Sequence, residues 1–237
     1  MPHQAALPAL RRRILVTGLL LLLTGVAVTV LVGVSGTRPA LQRVDDTWYR
    51  WMVAGRSSML VTVSKVLSTA FSTAVDWPLR IAATVVIAVR RRWLALASWA
   101  VTLVLSEWMI GAVKGLVDRG RPPAALIATS GASYPSGHAI ASAVTAIGIV
   151  MALTSGRRRL HWMVPAVALA MLVALSRTYL SAHWLSDVVG GACIGGGIAL
   201  AVPEAFEVAR DGYQARRAPA GATDGPWRPW PERRPGG

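Results

Sequence analysis

His183 and Asp187 stand four residues apart in SRTYLSAHWLSDVVGG, residues 176–191, and Arg177 precedes them. On a helix that spacing brings both side chains to one face. A carboxylate so placed holds one imidazole nitrogen and leaves the other aimed outward, which suits a general base or a nucleophile. A second cluster, Lys114-Gly-Leu-Val-Asp-Arg-Gly-Arg121-Pro122, carries cations, and a third, Ser133-Tyr134-Pro135-Ser136-Gly137-His138, opens an apolar run. Ser136 and Gly137 would lie at a helix N-terminus, where unpaired N–H groups and the helix dipole favour an anion. Glycine there lets a bulky oxyanion approach the backbone. Each cluster also has a plain reading: snorkelling cations, ordinary capping, and a structural His–Asp pair. Together they read as chemistry on an oxyanion, with His138 the residue that capping leaves unexplained.

The elements that position these groups are written in hydropathy. The chain of 237 residues is 54% hydrophobic and 15% charged, and its apolar residues fall in blocks, as in membrane proteins. Runs at 14–34, 74–89, 93–113, 138–155, 162–180 and 188–203 predict six transmembrane helices in an all-α, polytopic bundle. The second and sixth runs are short and are expected to tilt or borrow flanking residues. Met59 to Ala70 predicts an extra helix near the surface. The first run is too long for a signal-peptide core and is expected to remain as a span.

Three arginine triplets, 11–13, 90–92 and 157–159, fall on one side if the runs cross alternately. The positive-inside rule makes that side the cytoplasm. Residues 1–13 are then a cytoplasmic N-terminus, 14–203 the six-helix transmembrane domain, and 204–237, rich in Arg, Pro and Gly, a disordered cytoplasmic tail. All three polar clusters face outward, where that rule expects few cations. The net charge of +14 is assigned to topology and to anionic lipids at the cytoplasmic face, with no nucleic-acid partner. Cys193 is the only cysteine, so no internal disulfide forms. Oligomeric state is not readable.

In order and spacing, Lys114-x6-Arg121-Pro122, Pro135-Ser136-Gly137-His138 and Ser176-Arg177-x5-His183-x3-Asp187 resemble the three signatures of the type 2 phosphatidic acid phosphatase superfamily, whose fold is shared with vanadium haloperoxidases. The resemblance covers about residues 59–203 and points to the membrane lipid phosphatase branch. It implies that Lys114, Arg121, Ser136, Gly137 and Arg177 bind phosphate oxygens. His183 would attack phosphorus, Asp187 would orient it, and His138 would protonate the leaving oxygen. The reaction implied is metal-independent and cofactor-free hydrolysis of a lipid phosphate monoester or diphosphate at the outer face, through a phosphohistidine. Polyprenyl (undecaprenyl) diphosphate, phosphatidate and phosphatidylglycerophosphate are candidate substrates. The roles agree with the chemistry, because phosphoryl transfer is catalysed mainly by positioning and by stabilising charge spread over three oxygens.

Three other readings stand beside it: headgroup transfer, a two-His, one-carboxylate metal site, and a non-enzymatic transporter or binder of anionic lipids. Three nearby cations argue against a divalent metal. Asp76 and Arg80, an i, i+4 pair in the second run, are expected to neutralise each other. Glu107, seven residues before Lys114 on the same helix face, reads equally as support for Lys114 or as helix packing. Asp118 and Arg119 lie inside the first signature without being required by it. Asp45, Asp46, Trp48 and Trp51 are assigned to an outer loop, and the glycines at 190, 191, 195, 196 and 197 to close helix packing.

Overall fold

The computed structural model describes residues 3–217. Eight helices occur among the described residues: α1 His3–Gly33, α2 Arg38–Ala54, α3 Ser58–Ala70, α4 Thr73–Val89, α5 Trp93–Leu116, α6 Gly137–Leu153, α7 Gly156–Tyr179 and α8 Leu185–Arg217. The protein is all-α and polytopic, but six full spans is not the count. Four helical stretches are long and apolar enough to cross a membrane: Ala9–Gly33, Trp93–Leu116, Gly156–Tyr179 and Leu185–Arg217. The α3–α4 pair, bent by 49°, makes a fifth if it is one broken span. The expected fourth span, at 138–155, is α6, a shorter apolar helix of 17 residues. Eleven of those residues are buried, so α6 is sheathed by other helices and need not match the bilayer thickness by itself.

Glycines let α8 run through the middle of the bundle. A Cβ on Gly191 would come within 2.8 Å of the Ser136 carbonyl oxygen, and one on Gly195 within 2.6 Å of that of Ile140. On another face, a Cβ on Gly197 would meet the Leu22 backbone nitrogen at 2.8 Å, while Gly18 of α1 leaves similar room for Ala201. Backbone therefore packs on backbone from both α1 and α6, as small residues permit between membrane helices. Gly190 makes room for Tyr134, whose hydroxyl bonds to Thr29 of α1 at 2.8 Å. The expected packing role holds, except that Gly196 sits at ordinary contact distance.

Two departures concern the ends. Besides the expected helix at 59–70, seen as α3, the outer stretch holds an unexpected helix, α2, which carries Asp45 into the interior, 1% exposed. At the opposite end α8 does not stop at Pro203 but continues to Arg217, which corrects the expectation of disorder for 204–217. Ion pairs sustain that extension: Arg159 to Glu204 at 2.7 Å, Arg11 to Glu207 and Asp211 at 3.1 and 2.7 Å, and Arg210 to Glu207 at 2.6 Å. The rest of the expected tail, 218–237, lies outside the described residues.

Candidate active site

The end of α5, the 117–136 loop, the start of α6, the end of α7 and the start of α8 meet at one end of the bundle. Contacts link the predicted residues in a chain. Lys114 Nζ and Arg121 Nη2 both donate to the Ala132 carbonyl, each at 3.3 Å. Arg121 also donates to the carbonyls of Gly131 at 3.0 Å, Ser130 at 2.7 Å and Ala182 at 2.8 Å, and its Nη1 lies 3.3 Å from His183 Nε2. The Arg177 carbonyl accepts from the backbone N–H groups of Ala182 and His183. Ser136 N–H donates to the Asp187 carbonyl at 3.1 Å, which ties the start of α6 to α8. His138, Gly137 and Lys114 line one cleft. The structure thus gathers all eight residues that the three signatures single out.

Local backbone explains how they gather. Ser181 adopts a left-handed φ of 51° between Arg177 and His183, an uncommon state for a non-glycine residue. Its hydroxyl accepts from Arg56 at 2.6 Å, and the turn delivers the Ala182 carbonyl to Arg121. Ser133 N–H bonds to the Arg119 carbonyl at 2.8 Å, which folds the loop back over the start of α8.

The tautomer of His183 follows from its partners. Nδ1 is 2.8 Å from the Ser133 carbonyl, and a carbonyl can only accept, so Nδ1 carries the proton. In the neutral ring Nε2 then offers a lone pair on the Arg121 side. Asp187 is the expected orienter, yet its Oδ2 stands 3.5 Å from Nδ1, so the Ser133 carbonyl makes the shorter contact. Burial, with Arg177 and Arg121 nearby, pushes the His183 pKa below its ordinary value, although Asp187 pulls the other way. The ring is therefore held neutral near pH 7. Burial also lowers the Arg121 pKa, which leaves a guanidinium charged at any working pH.

Behind this histidine lies a network that the sequence reading set aside. Arg119, 5% exposed, donates to Asp187 Oδ1 at 2.7 Å, to Asp45 Oδ2 at 2.6 Å, to Ser186 Oγ at 2.6 Å and to Gln42 Oε1 at 2.8 Å. Asp187 Oδ2 accepts from the Ser133 hydroxyl and from the Trp184 N–H at 2.9 Å. Asp45 takes further bonds from Ser186 N and Oγ, at 2.9 and 2.6 Å. Nothing local marks Asp45 as a partner of a residue 74 positions away; in retrospect, the one usable signal was a surplus cation inside the first signature.

Arg177 meets α3, where its Nη1 donates to the Ser68 hydroxyl. That contact sets the helix at 58–70 behind Arg177. Arg177 Nε and Ser136 Oγ are buried with no hydrogen-bond partner among the described residues. A buried polar group without a partner is costly. Two of them, on residues expected to touch phosphate, suit an oxyanion that accepts from both. The cleft lined by His138 and Lys114 has a volume of about 190 Å³ and extends inward to Asp76, Trp77, Arg80 and Glu107.

Comparison with known proteins bears on the family and the fold. Residues 93–211 match the PAP2 superfamily. A 99-residue stretch is 35% identical to phosphatidylglycerophosphatase B of Bacillus subtilis (strain 168), covering 39% of this chain and 44% of that protein. The chain thus aligns with less than half the length of that curated relative. In fold, it resembles the crystal structure described as the first transmembrane PAP2 type phosphatidylglycerolphosphate phosphatase from Bacillus subtilis. That likeness has a TM-score of 0.65 and 21% identity, over 85% of this chain and 97% of the other. Aquifex aeolicus LpxE aligns with a TM-score of 0.54 and 22% identity, over 65% of this chain and 91% of the other.

Proposed function

Since the chain belongs to the PAP2 superfamily, we propose that it is a lipid phosphatase that removes phosphate from a membrane lipid phosphate monoester or diphosphate through a covalent phosphohistidine, at the extracytoplasmic face. The observation that carries this reading is the setting of His183, whose protonated Nδ1 is fastened to a carbonyl while Nε2 faces Arg121. The lone pair of Nε2 attacks phosphorus and the P–O bond to the lipid breaks. The departing oxygen takes a proton from His138. Water then attacks the phosphohistidine, gives its proton to His138, and the P–N bond breaks to return neutral His183 and inorganic phosphate. Lys114, Arg121 and Arg177 stabilise the charge on the three equatorial oxygens, and Ser136 and the Gly137 N–H add neutral donors. Asp187 and the Ser133 carbonyl keep the ring in its reactive tautomer. A lipid acceptor in place of water would make the same site a transferase.

The test is phosphate release by the purified protein from phosphatidate, phosphatidylglycerophosphate and polyprenyl diphosphate, with chelator present. The wild type turns over, and His183→Ala loses about 10⁴-fold in kcat while retaining headgroup binding. An unchanged rate in that variant sinks the assignment. Loss of activity under chelator with recovery on added metal would favour the metal site instead.

A further inference from the structure

The cleft does not end at the phosphate-binding residues. From Lys114 and His138 it reaches a second charged group formed by α4 and α5. Arg80 Nε lies 2.7 Å from Asp76 Oδ2 and its Nη1 lies 2.6 Å from Glu107 Oε1. Arg80 also donates to Thr145 of α6 at 2.9 Å and sits over the Trp77 ring, 5.5 Å from its centroid. Asp76 and Arg80 are almost fully buried, whereas the Glu107 side chain is 41% exposed. Glu107 precedes Lys114 by seven residues on α5, about 10 Å along a helix axis. This group therefore lies directly inward of the atoms that would handle phosphate, on the side from which a lipid chain must come.

Its charge is informative. Counted as ionised, the two carboxylates share one guanidinium, a formal excess of one negative charge on the inner part of the cleft, inward of the Lys114 ammonium. Charges in such a half-buried, low-dielectric setting act strongly. A linker with hydroxyl or ester oxygens can hydrogen-bond to these groups without opposing them. Asp76 Oδ1 and Arg80 Nη2, one acceptor and one donor, are both without partners among the described residues. A second phosphate at this depth would meet two carboxylates.

We propose that this cleft seats the group joined to the scissile phosphate, and that Asp76, Arg80 and Glu107 select an uncharged, glyceryl-type linker over a second phosphate. The inference rests on the lipid phosphatase reading and adds a specificity site to it. Substrates whose cleaved phosphate hangs on a glyceryl carbon, such as phosphatidate, are favoured over polyprenyl diphosphates.

The experiment compares kcat/KM for phosphatidate and for a polyprenyl diphosphate in the same detergent micelles. The wild type prefers phosphatidate at least about tenfold. Glu107→Gln, and Asp76→Asn combined with it, move the ratio toward the diphosphate by about tenfold or more, mainly through its KM, since one unit of repelling charge is worth on the order of a decade. Glu107→Asp restores the wild-type ratio, a rescue that a merely structural role would not give. A ratio that stays put in both variants, or a wild type that prefers the diphosphate, overturns the specificity site alone. Cleavage of neither lipid removes the phosphatase reading, and this inference with it.

Discussion

Two buried arginines among the described residues, Arg80 and Arg119, are each clasped by two carboxylates, and the two triads are built to different ends. In Asp45–Arg119–Asp187 the carboxylate oxygens all find donors, from Ser133, Trp184, Ser186 or Arg119 itself. In Asp76–Arg80–Glu107 one buried carboxylate oxygen and one buried guanidinium nitrogen have no partner among the described residues, and the second acid is half exposed in a cleft. A saturated network resists motion and suits a support, here for the residue next to His183. An unsaturated one keeps capacity for something that arrives. Ion pairs as such do not distinguish the two; the count of satisfied atoms does.

The largest expected effect comes from breaking the saturated triad. Arg119→Ala strands two buried carboxylates and should cost about 3–5 kcal/mol of stability, read from thermal unfolding in detergent, with turnover lost as well. A loss below about 1 kcal/mol would mean that the network is not the support described here. Arg80→Ala should cost less than that, because it strands one buried carboxylate, Asp76, where Arg119→Ala strands two. If Arg80→Ala proves the more damaging variant, the contrast between the triads is wrong.

Protonation offers a third test. The pKa of His183 is pushed below its ordinary value, and in the proposed mechanism the neutral ring attacks. The acid limb of activity therefore follows that pKa, falling about tenfold per unit below it, while the proton that His138 must carry sets a separate basic limb. The acid limb of kcat/KM, corrected for substrate ionisation, should lie below about pH 6.5. A limb at or above that value would show that His183 is not held neutral. The smallest effect is expected at the exposed arm of the open triad. Glu107→Gln should shift stability by no more than about 1 kcal/mol, even though it changes substrate preference.

Much of the site was legible because its residues are local in the chain. Lys114 and Arg121, Ser136 to His138, and Arg177 to Asp187 each sit in one short segment, and their types state the chemistry. The apolar runs marked the bundle for the same reason. What they did not convey was span count: α6 is short and apolar, and hydropathy does not tell a helix wrapped by protein from one facing lipid. Likewise, α8 runs past Pro203 because Arg11 and Arg159 come from elsewhere to pair with its acids. Asp45 looked like a loop residue, and Arg119 a spare cation in a required pattern.

The sequence by itself determined an all-α membrane protein, the candidate residues for attack and for phosphate binding, and their order. Those are consequences of periodicity, hydropathy and side-chain type, which act over one or two helical turns. Only the tertiary structure decided that the Ser133 carbonyl lies closer to His183 than Asp187 does, that α3 backs Arg177, and that one arginine triad is saturated while the other opens on the cleft. Those outcomes depend on which helix faces meet, and close meetings such as those at Gly195 and Gly197 are between backbones far apart in the chain, where no local pattern reaches.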